Sequence, residues 1–231
     1  MAVFYILLAI SITLACVFVL IQHPQKPLLS FFLKGLSSVS IVLLAVYAAC
    51  LTNITWTTSG VLFIAGLLLC VLGDVCLALL EFKIKDAKYS IINSGETAFF
   101  LAQVCFIFAL AFLIGGSIAI TIPLIFGLLC VAIIYLMQKP MGLDYNKSTI
   151  STLIYSFGLS SSFALSVSNL IVNGFTLANV LICVGFIFFF ASDLILSMIY
   201  FKDDSPRSLY YPNLATYYIA IILIAASLVC F

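Results

Sequence analysis

Eight long apolar runs limit this chain to a fold that crosses a membrane. Each run has about 20 residues, which is the length that an α-helix needs to span a bilayer. The runs do not alternate polar and apolar residues as the strands of a transmembrane β-barrel do. We therefore expect an all-α polytopic membrane protein in which residues 1–231 form a single integral membrane domain. The predicted helices cover about residues 2–21, 32–51, 58–80, 93–113, 117–136, 149–169, 176–200 and 212–230.

Composition agrees with a membrane location and excludes other classes of protein. Hydrophobic residues make up 65% of the sequence and charged residues 7%, whereas about a quarter of the residues of a soluble protein are charged. A net charge of +1 leaves no broad basic surface for nucleic acid. The eight cysteines are scattered singly and the one histidine, His23, falls in a loop, so we expect no metal site and no cofactor. The first apolar run has no basic segment before it, and we interpret it as a retained helix.

The positive charges predict an orientation in the membrane. Lysine and arginine lie in or beside the first, third, fifth and seventh loops, and the second, fourth and sixth loops contain neither. By the positive-inside rule the basic loops are cytoplasmic and both termini face outward. The short loops favour a bacterial inner membrane, with an endomembrane as the alternative. The sequence does not indicate an oligomeric state.

Two aspartates interrupt the apolar helices at matching places. Asp74 lies in the stretch LGDVCLALLEFK of the third helix, and Asp193 lies in ASDLILSMIYFK of the seventh. Aligning the two stretches also aligns Gly66 with Gly185 upstream. A charged group at the centre of a bilayer costs at least about 2.5–3.5 kcal/mol, so both acids are functional candidates. The match suggests a parallel 4+4 internal repeat, which would place the aspartates opposite each other at equal depth.

Paired carboxyl groups in a medium of low dielectric constant can carry out acid–base chemistry. The two groups do not ionise together easily, so one stays protonated as an acid while the other remains a base. A metal would need more oxygen ligands than two aspartates supply. A nucleophilic triad is not indicated, because GxSxG is absent and the histidine lies in a loop. An interhelical hydrogen bond is the structural alternative for the pair.

Other polar residues inside the helices are candidates to line a cavity around the aspartates. Glu96 and Gln103 are seven residues apart on the fourth helix and therefore share a face. Tyr155 and Tyr217 lie in the sixth and eighth helices, where an interfacial aromatic belt is the alternative role. Lys34 opens the second helix, from which its amine could also extend to the interface.

At these residues the sequence resembles the YhhN family of membrane proteins, which includes the lysoplasmalogenases. Gly73 and Asp74 match the Gly-Asp of the family's third helix. Ser192 and Asp193 match the Ser-Asp of its seventh helix, and Lys34 matches a lysine that opens its second. The resemblance extends over essentially the whole chain, and the two aspartate motifs are its specific part.

The remaining matches are weaker and include departures. Tyr217 belongs to a Thr-Tyr-Tyr run of the eighth helix that resembles the family pattern. Gln103 stands where the family usually has histidine, Ile221 where it has glutamine, and Gly35 where proline is common. These departures bear on substrate preference more than on the chemistry of the aspartates.

The resemblance implies hydrolysis of the vinyl-ether bond of a lysoplasmalogen to a fatty aldehyde and glycerophospho-ethanolamine or -choline. Asp74 and Asp193 would be catalytic, in a mechanism akin to two-carboxylate glycoside hydrolysis. Either aspartate could be the acid. The lysophospholipid and the bilayer would be the partners. The residues expected to contact the substrate are Lys34, Glu96, Gln103, Tyr155, Ser192 and Tyr217, with Lys83, Lys202 or Arg207 at the phosphate.

Two other functions use buried acids. An intramembrane aspartyl protease also pairs two helix-borne aspartates, but Val71 stands where its GxGD motif has the first glycine. A proton-coupled transporter of a lipid or small solute would suit a parallel repeat. Against transport, the third and seventh helices are long and contain no proline break.

Overall fold

The computed structural model describes residues 1–22, 27–52, 54, 57–82, 84 and 86–231. Within these residues the chain forms eight helices that are long and apolar enough to cross a membrane, which confirms the predicted all-α polytopic fold. The helices are α1 Ala2–Ile21, α2 Pro27–Cys50, α3 Thr58–Ala78, α4 Lys88–Ile114, α5 Ser117–Met137, α6 Thr149–Asn173, α7 Leu177–Phe201 and α8 Tyr210–Ser227. Short 3₁₀ turns extend α3 to Phe82 and α8 to Cys230. The loop predicted around His23 lies outside the described residues.

Two helices begin earlier than their apolar runs predict. α2 starts at Pro27, because a proline fits the first turn of a helix, where a backbone N–H would have no partner. α4 starts at Lys88, one polar turn before its apolar run. Hydropathy marks the part of a helix that lies in lipid, whereas helix ends depend on local backbone chemistry.

The helix packing is compatible with the predicted parallel 4+4 repeat. In the first half α1 packs on α2, α2 on α3 and α3 on α4, and in the second half α5 packs on α6, α6 on α7 and α7 on α8. The contacts between halves also correspond, since α2 packs on α8 as α6 packs on α4. The caps agree as well. Thr57 Oγ1 accepts from the Gly60 amide at 3.1 Å to begin α3, and Thr176 Oγ1 accepts from the Asn179 amide at 3.3 Å to begin α7.

Gly66 and Gly185, which align in the two aspartate stretches, each allow two helices to pack closely. A Cβ on Gly66 would lie 2.4 Å from the ring of Phe106 on α4. A Cβ on Gly185 would lie 2.8 Å from the side chain of Ile224 on α8. Small residues let membrane helices approach closely, so these two positions bring α3 against α4 and α7 against α8.

Replacing Gly66 by alanine should destabilise the bundle by about 1–3 kcal/mol. The Phe106 ring is fully buried and cannot move aside freely, because the rings of Phe63 and Phe186 lie 6.0 and 5.5 Å from it. Thermal unfolding in detergent micelles would measure the effect. Gly35→Ala is the matched control, since a Cβ on Gly35 would meet nothing within 4 Å. Equal unfolding midpoints for the two variants would contradict the packing role of Gly66.

Candidate active site

Asp74 is held by donors from two other helices. Its side chain is buried on α3, and its Oδ1 lies 3.3 Å from the Lys34 Nζ of α2. Its Oδ2 accepts from the Ser38 hydroxyl at 2.6 Å and from the Tyr217 hydroxyl of α8 at 2.7 Å. Lys34 and Ser38 are four residues apart and therefore lie on one face of α2. All three partners donate to the carboxyl group, an arrangement that suits a carboxylate anion.

Asp193 occupies the matching place on α7 but has a different environment. Its Oδ2 accepts a hydrogen bond from the Tyr155 hydroxyl of α6. Among the described residues, the ion pair of Lys34 and Asp74 has no counterpart at Asp193. The two carboxyl groups of the repeat are therefore not equivalent, because one has a cation and two hydroxyl donors and the other has one phenol.

The residues before the aspartates explain the Gly-Asp and Ser-Asp pairs. A Cβ on Gly73 would lie 2.5 Å from the Phe99 ring, so glycine at this position makes room for that ring beside Asp74. Ser192 binds α8 instead, since its hydroxyl donates to the Asn213 carbonyl at 3.2 Å. The Asn213 amide donates in turn to the Ser192 carbonyl at 2.8 Å. Each neighbour thus fixes a helix contact next to its aspartate.

A first cavity of about 290 Å³ brings the two aspartates together. Its walls come mainly from α3, α7 and α8, with single residues of α1, α2 and α4. Asp74 and Asp193 both line it, and so do Lys34 and Tyr217. Charged and polar groups continue toward the end of the bundle, where Arg207 and the other polar residues Gln22, Glu81, Tyr210 and Tyr211 contribute.

A second cavity of about 270 Å³ lies on the other side of Asp193. Its walls come from α4, α5, α6 and α7, with a contribution from α3. Its lining is mostly aliphatic and aromatic, and Glu96 and Asp193 are its two acids. Residues that line both cavities are Leu77, Phe99, Asp193, Leu196 and Tyr200.

Glu96 and Gln103 of α4, which were predicted to line one cavity, lie in different surroundings. Glu96 lines the second cavity and accepts from Ser151 at 2.5 Å and from Thr152 at 2.7 Å, both on α6. Gln103 lines neither of the two cavities and is fully buried against α6, where the Ser162 hydroxyl donates to its main-chain carbonyl at 3.3 Å. Seven-residue spacing therefore placed one of the two residues at the site.

The basic residues considered for phosphate binding differ in whether they line a cavity. Arg207, in the turn before α8, lines the first cavity. Lys202 ends α7 with an exposed side chain and lines neither cavity, while its main chain bridges to Leu143. Lys83 lies outside the described residues. Ser38 was not predicted as a site residue, although it lies one helical turn after Lys34 and therefore on the same face of α2.

The fold and the candidate site together define a class of protein. The chain is an integral membrane protein whose helices hold two carboxyl groups at one cavity. Among the described residues, no three His, Cys, Asp or Glu side chains gather as a metal site would need.

Comparison with known families agrees with the resemblance of the motifs. The sequence matches the YhhN family over residues 29–228, and the chain belongs to that family. Comparisons with curated proteins and with solved structures give no match.

Removing the Lys34 cation should destabilise the fold while Asp74 is present. The destabilisation should be smaller when Asp74 is replaced as well. Lys34→Met leaves Asp74 buried without its cation, whereas Lys34→Met combined with Asp74→Asn leaves no charge to compensate. We expect a coupling of about 1–3 kcal/mol between the two positions. A double-mutant cycle on the free energy of unfolding in detergent would measure it. Additive effects of the two substitutions would show that the ion pair does not contribute to stability.

Proposed function

We propose that this protein is a membrane-embedded hydrolase of the lysoplasmalogenase type, which cleaves the vinyl-ether bond of a lysoplasmalogen. The observation that carries the proposal is the position of Asp74 and Asp193 on one cavity, with Asp193 also lining a second, largely apolar one. Such a site suits a substrate with a charged headgroup, one hydrocarbon chain and an acid-sensitive bond between them. Its products would be a fatty aldehyde and a glycerophospho-ethanolamine or -choline.

Asp74 is assigned as the carboxylate of the pair. Lys34, Ser38 and Tyr217 all donate to it, and such contacts stabilise the charged form of a carboxyl group. A fixed anion at this point would stabilise positive charge that develops on the substrate. It would also accept a proton from the attacking water.

Asp193 is assigned as the acid. It has one phenol donor and no cation partner among the described residues, so its surroundings compensate a negative charge less than those of Asp74. It also lines both cavities, whereas Asp74 lines the polar one. A proton on Asp193 would therefore lie beside the part of the substrate that leads into the apolar space.

The reaction then proceeds by proton transfer to carbon. The alkene electron pair takes the proton of Asp193, which forms a C–H bond at the second chain carbon and an oxocarbenium ion at the first. Water adds to the first carbon and gives up a proton to Asp74. The resulting hemiacetal loses its hydroxyl proton as the bond to the glycerol oxygen breaks, and that oxygen gains a proton. One water is consumed, and a proton must return from Asp74 to Asp193 before the next turnover.

Substitution of either aspartate should abolish turnover without unfolding the protein. We expect Asp74→Asn and Asp193→Asn each to lower the rate of aldehyde release by at least about 100-fold, as loss of a general acid or base does. Purified protein in lysoplasmalogen-containing vesicles, with mass analysis of the lipids, would measure this. Asp86→Asn is the control, because Asp86 is an exposed loop residue with φ 61°, a conformation that asparagine also adopts.

The same assay separates the proposal from its rivals. In D₂O the aldehyde should carry one deuterium on the carbon next to the carbonyl group, since the mechanism protonates that carbon. Aldehyde release that survives both substitutions would refute the roles of the aspartates. Solute uptake into vesicles without lipid cleavage would favour a transporter, and cleavage of a transmembrane peptide would favour a protease.

Arg207 is the residue placed to meet the phosphate of the headgroup. Lys34 is already paired with Asp74, while Arg207 lines the polar cavity and can bind a phosphate through two parallel hydrogen bonds. Arg207→Gln should raise KM by about tenfold and change kcat little, because a charge-assisted hydrogen bond contributes about 1.5–3 kcal/mol. Steady-state kinetics would measure both constants.

Lys202→Gln provides the matched comparison for Arg207. Lys202 lies five residues away in the same loop region but lines neither cavity. We therefore expect a smaller change of KM than for Arg207→Gln. A larger effect at Lys202 would assign the phosphate to that residue instead.

A further inference from the structure

We propose that the second cavity is the binding site for the hydrocarbon chain of a single-chain lysophospholipid, and that the chain enters it sideways from the bilayer between α5 and α7. The inference rests on the proposed function for the identity of the lipid. Its evidence is separate and comes from the lining, the edges and the closed end of the cavity.

The lining of the second cavity suits a hydrocarbon chain. On the side of α5 it consists of Ile133, Ile134 and Met137, and Phe190 and Leu194 face them from α7. The polar groups lie mainly along α6 and α7, and the hydroxyls of Thr152 and Tyr155 donate hydrogen bonds to Glu96 and Asp193. A largely apolar space with a few polar groups at one side is typical of sites that bind apolar ligands.

The packing of α5 leaves a gap toward the lipid. Within the described residues α5 packs extensively on α6, over a short stretch on α4, and at most slightly on α7. Pro123 and Gly127 are its buried residues, so most of its surface faces outward. Ile133 is 58% exposed and Leu194 is 47% exposed, yet both line the cavity. These two side chains therefore mark the edges of an opening between α5 and α7 at membrane depth.

The end of the second cavity nearest the basic loops is closed by the segment between α5 and α6. The Asp144 amide donates to the Phe201 carbonyl at 2.7 Å, and Leu143 forms an antiparallel bridge with Lys202. The Tyr145 ring packs edge-on against Phe201 with ring centroids 4.9 Å apart. Leu143, Tyr145 and Phe201 all line the cavity. A chain that reaches the cavity thus comes from the lipid rather than past this segment.

The position of the second cavity beside the first suits a lipid with one chain and a charged headgroup. Its inner end meets the first cavity at Asp193, Phe99 and Tyr200, which line both spaces. The adjoining space contains the charged side chains of Lys34, Asp74 and Arg207, which suit a headgroup, beside apolar side chains such as Phe18 and Leu214. A lipid with its headgroup in the first cavity and its chain in the second places the bond between them beside Asp193.

Photolabelling with a non-cleavable lipid tests this inference without requiring turnover. The probe is a lysophospholipid with a saturated ether-linked chain that carries a diazirine near its end, added to phosphatidylcholine vesicles that contain the protein. Irradiation and peptide mass analysis should place the label within residues 133–145 and 190–198. Ile133→Trp and Leu194→Trp should each lower labelling by at least tenfold, since a bulky ring fills the opening.

Matched variants control for a general effect of tryptophan on the lipid-facing surface. Leu129 lies one turn before Ile133, and Ile187 lies two turns before Leu194. They are 59% and 47% exposed, and neither lines the second cavity. Leu129→Trp and Ile187→Trp should label as the natural protein does. Thermal unfolding midpoints would verify that all four variants fold.

The outcomes separate the two proposals. Label outside the two segments, or equal labelling of all four variants, would overturn the inference. Stronger labelling by a two-chain phospholipid probe, or by a free fatty acid probe, would overturn its choice of a single-chain lysophospholipid. Specific labelling in a protein that releases no aldehyde would uphold the chain site and refute the proposed hydrolase, whereas aldehyde release with label elsewhere would do the reverse.

Discussion

The ion pair between Lys34 and Asp74 is an electrostatic constraint inside the bundle that apolar packing alone cannot satisfy. In lipid no water compensates a buried carboxylate, so its partners must come from protein. Lys34 and Ser38 come from α2, and Tyr217 comes from α8, near the other end of the chain. A single carboxyl group on α3 therefore joins the neighbouring helix α2 to α8, which is remote in sequence. Because charge and hydrogen bonds have strict geometric demands, this cluster fixes their relative depth and rotation more sharply than apolar packing alone.

The two halves of the predicted repeat differ in the chemistry around their aspartates. Matching caps and matching glycines build the same helix contacts twice. The side chains around the aspartates do not match, since Asp74 has a cation and Asp193 has Tyr155. The cavities follow the same division, one charged and one largely apolar. Acid–base catalysis needs two groups of unequal acidity, and the different surroundings of Asp74 and Asp193 would provide them.

Sequence reasoning could locate the helices and the acids but not every neighbour. Apolar length identifies a spanning helix because the bilayer sets it, and a carboxyl group in such a helix stands out because burial is costly. The spacing rule for Glu96 and Gln103 gave the face of α4 but not which part of that face borders a cavity. Lys202 and Arg207 were equivalent on the sequence, and the turn before α8 is what brings Arg207 to the polar cavity. Periodic spacing in the sequence does not predict where a turn residue such as Arg207 lies.

The difference between the two cavities has a consequence for the direction of a bound molecule. Two identical halves would present the same environment on both sides of their axis, and a ligand with unlike ends would fit equally well when reversed. Here charge on one side and hydrocarbon on the other leave one favourable direction. A reversed ligand would have to bury its charged end among apolar side chains and its apolar end among ions. In the proposed reaction, the unlike surroundings of the two cavities would orient the lipid before its ether bond is broken.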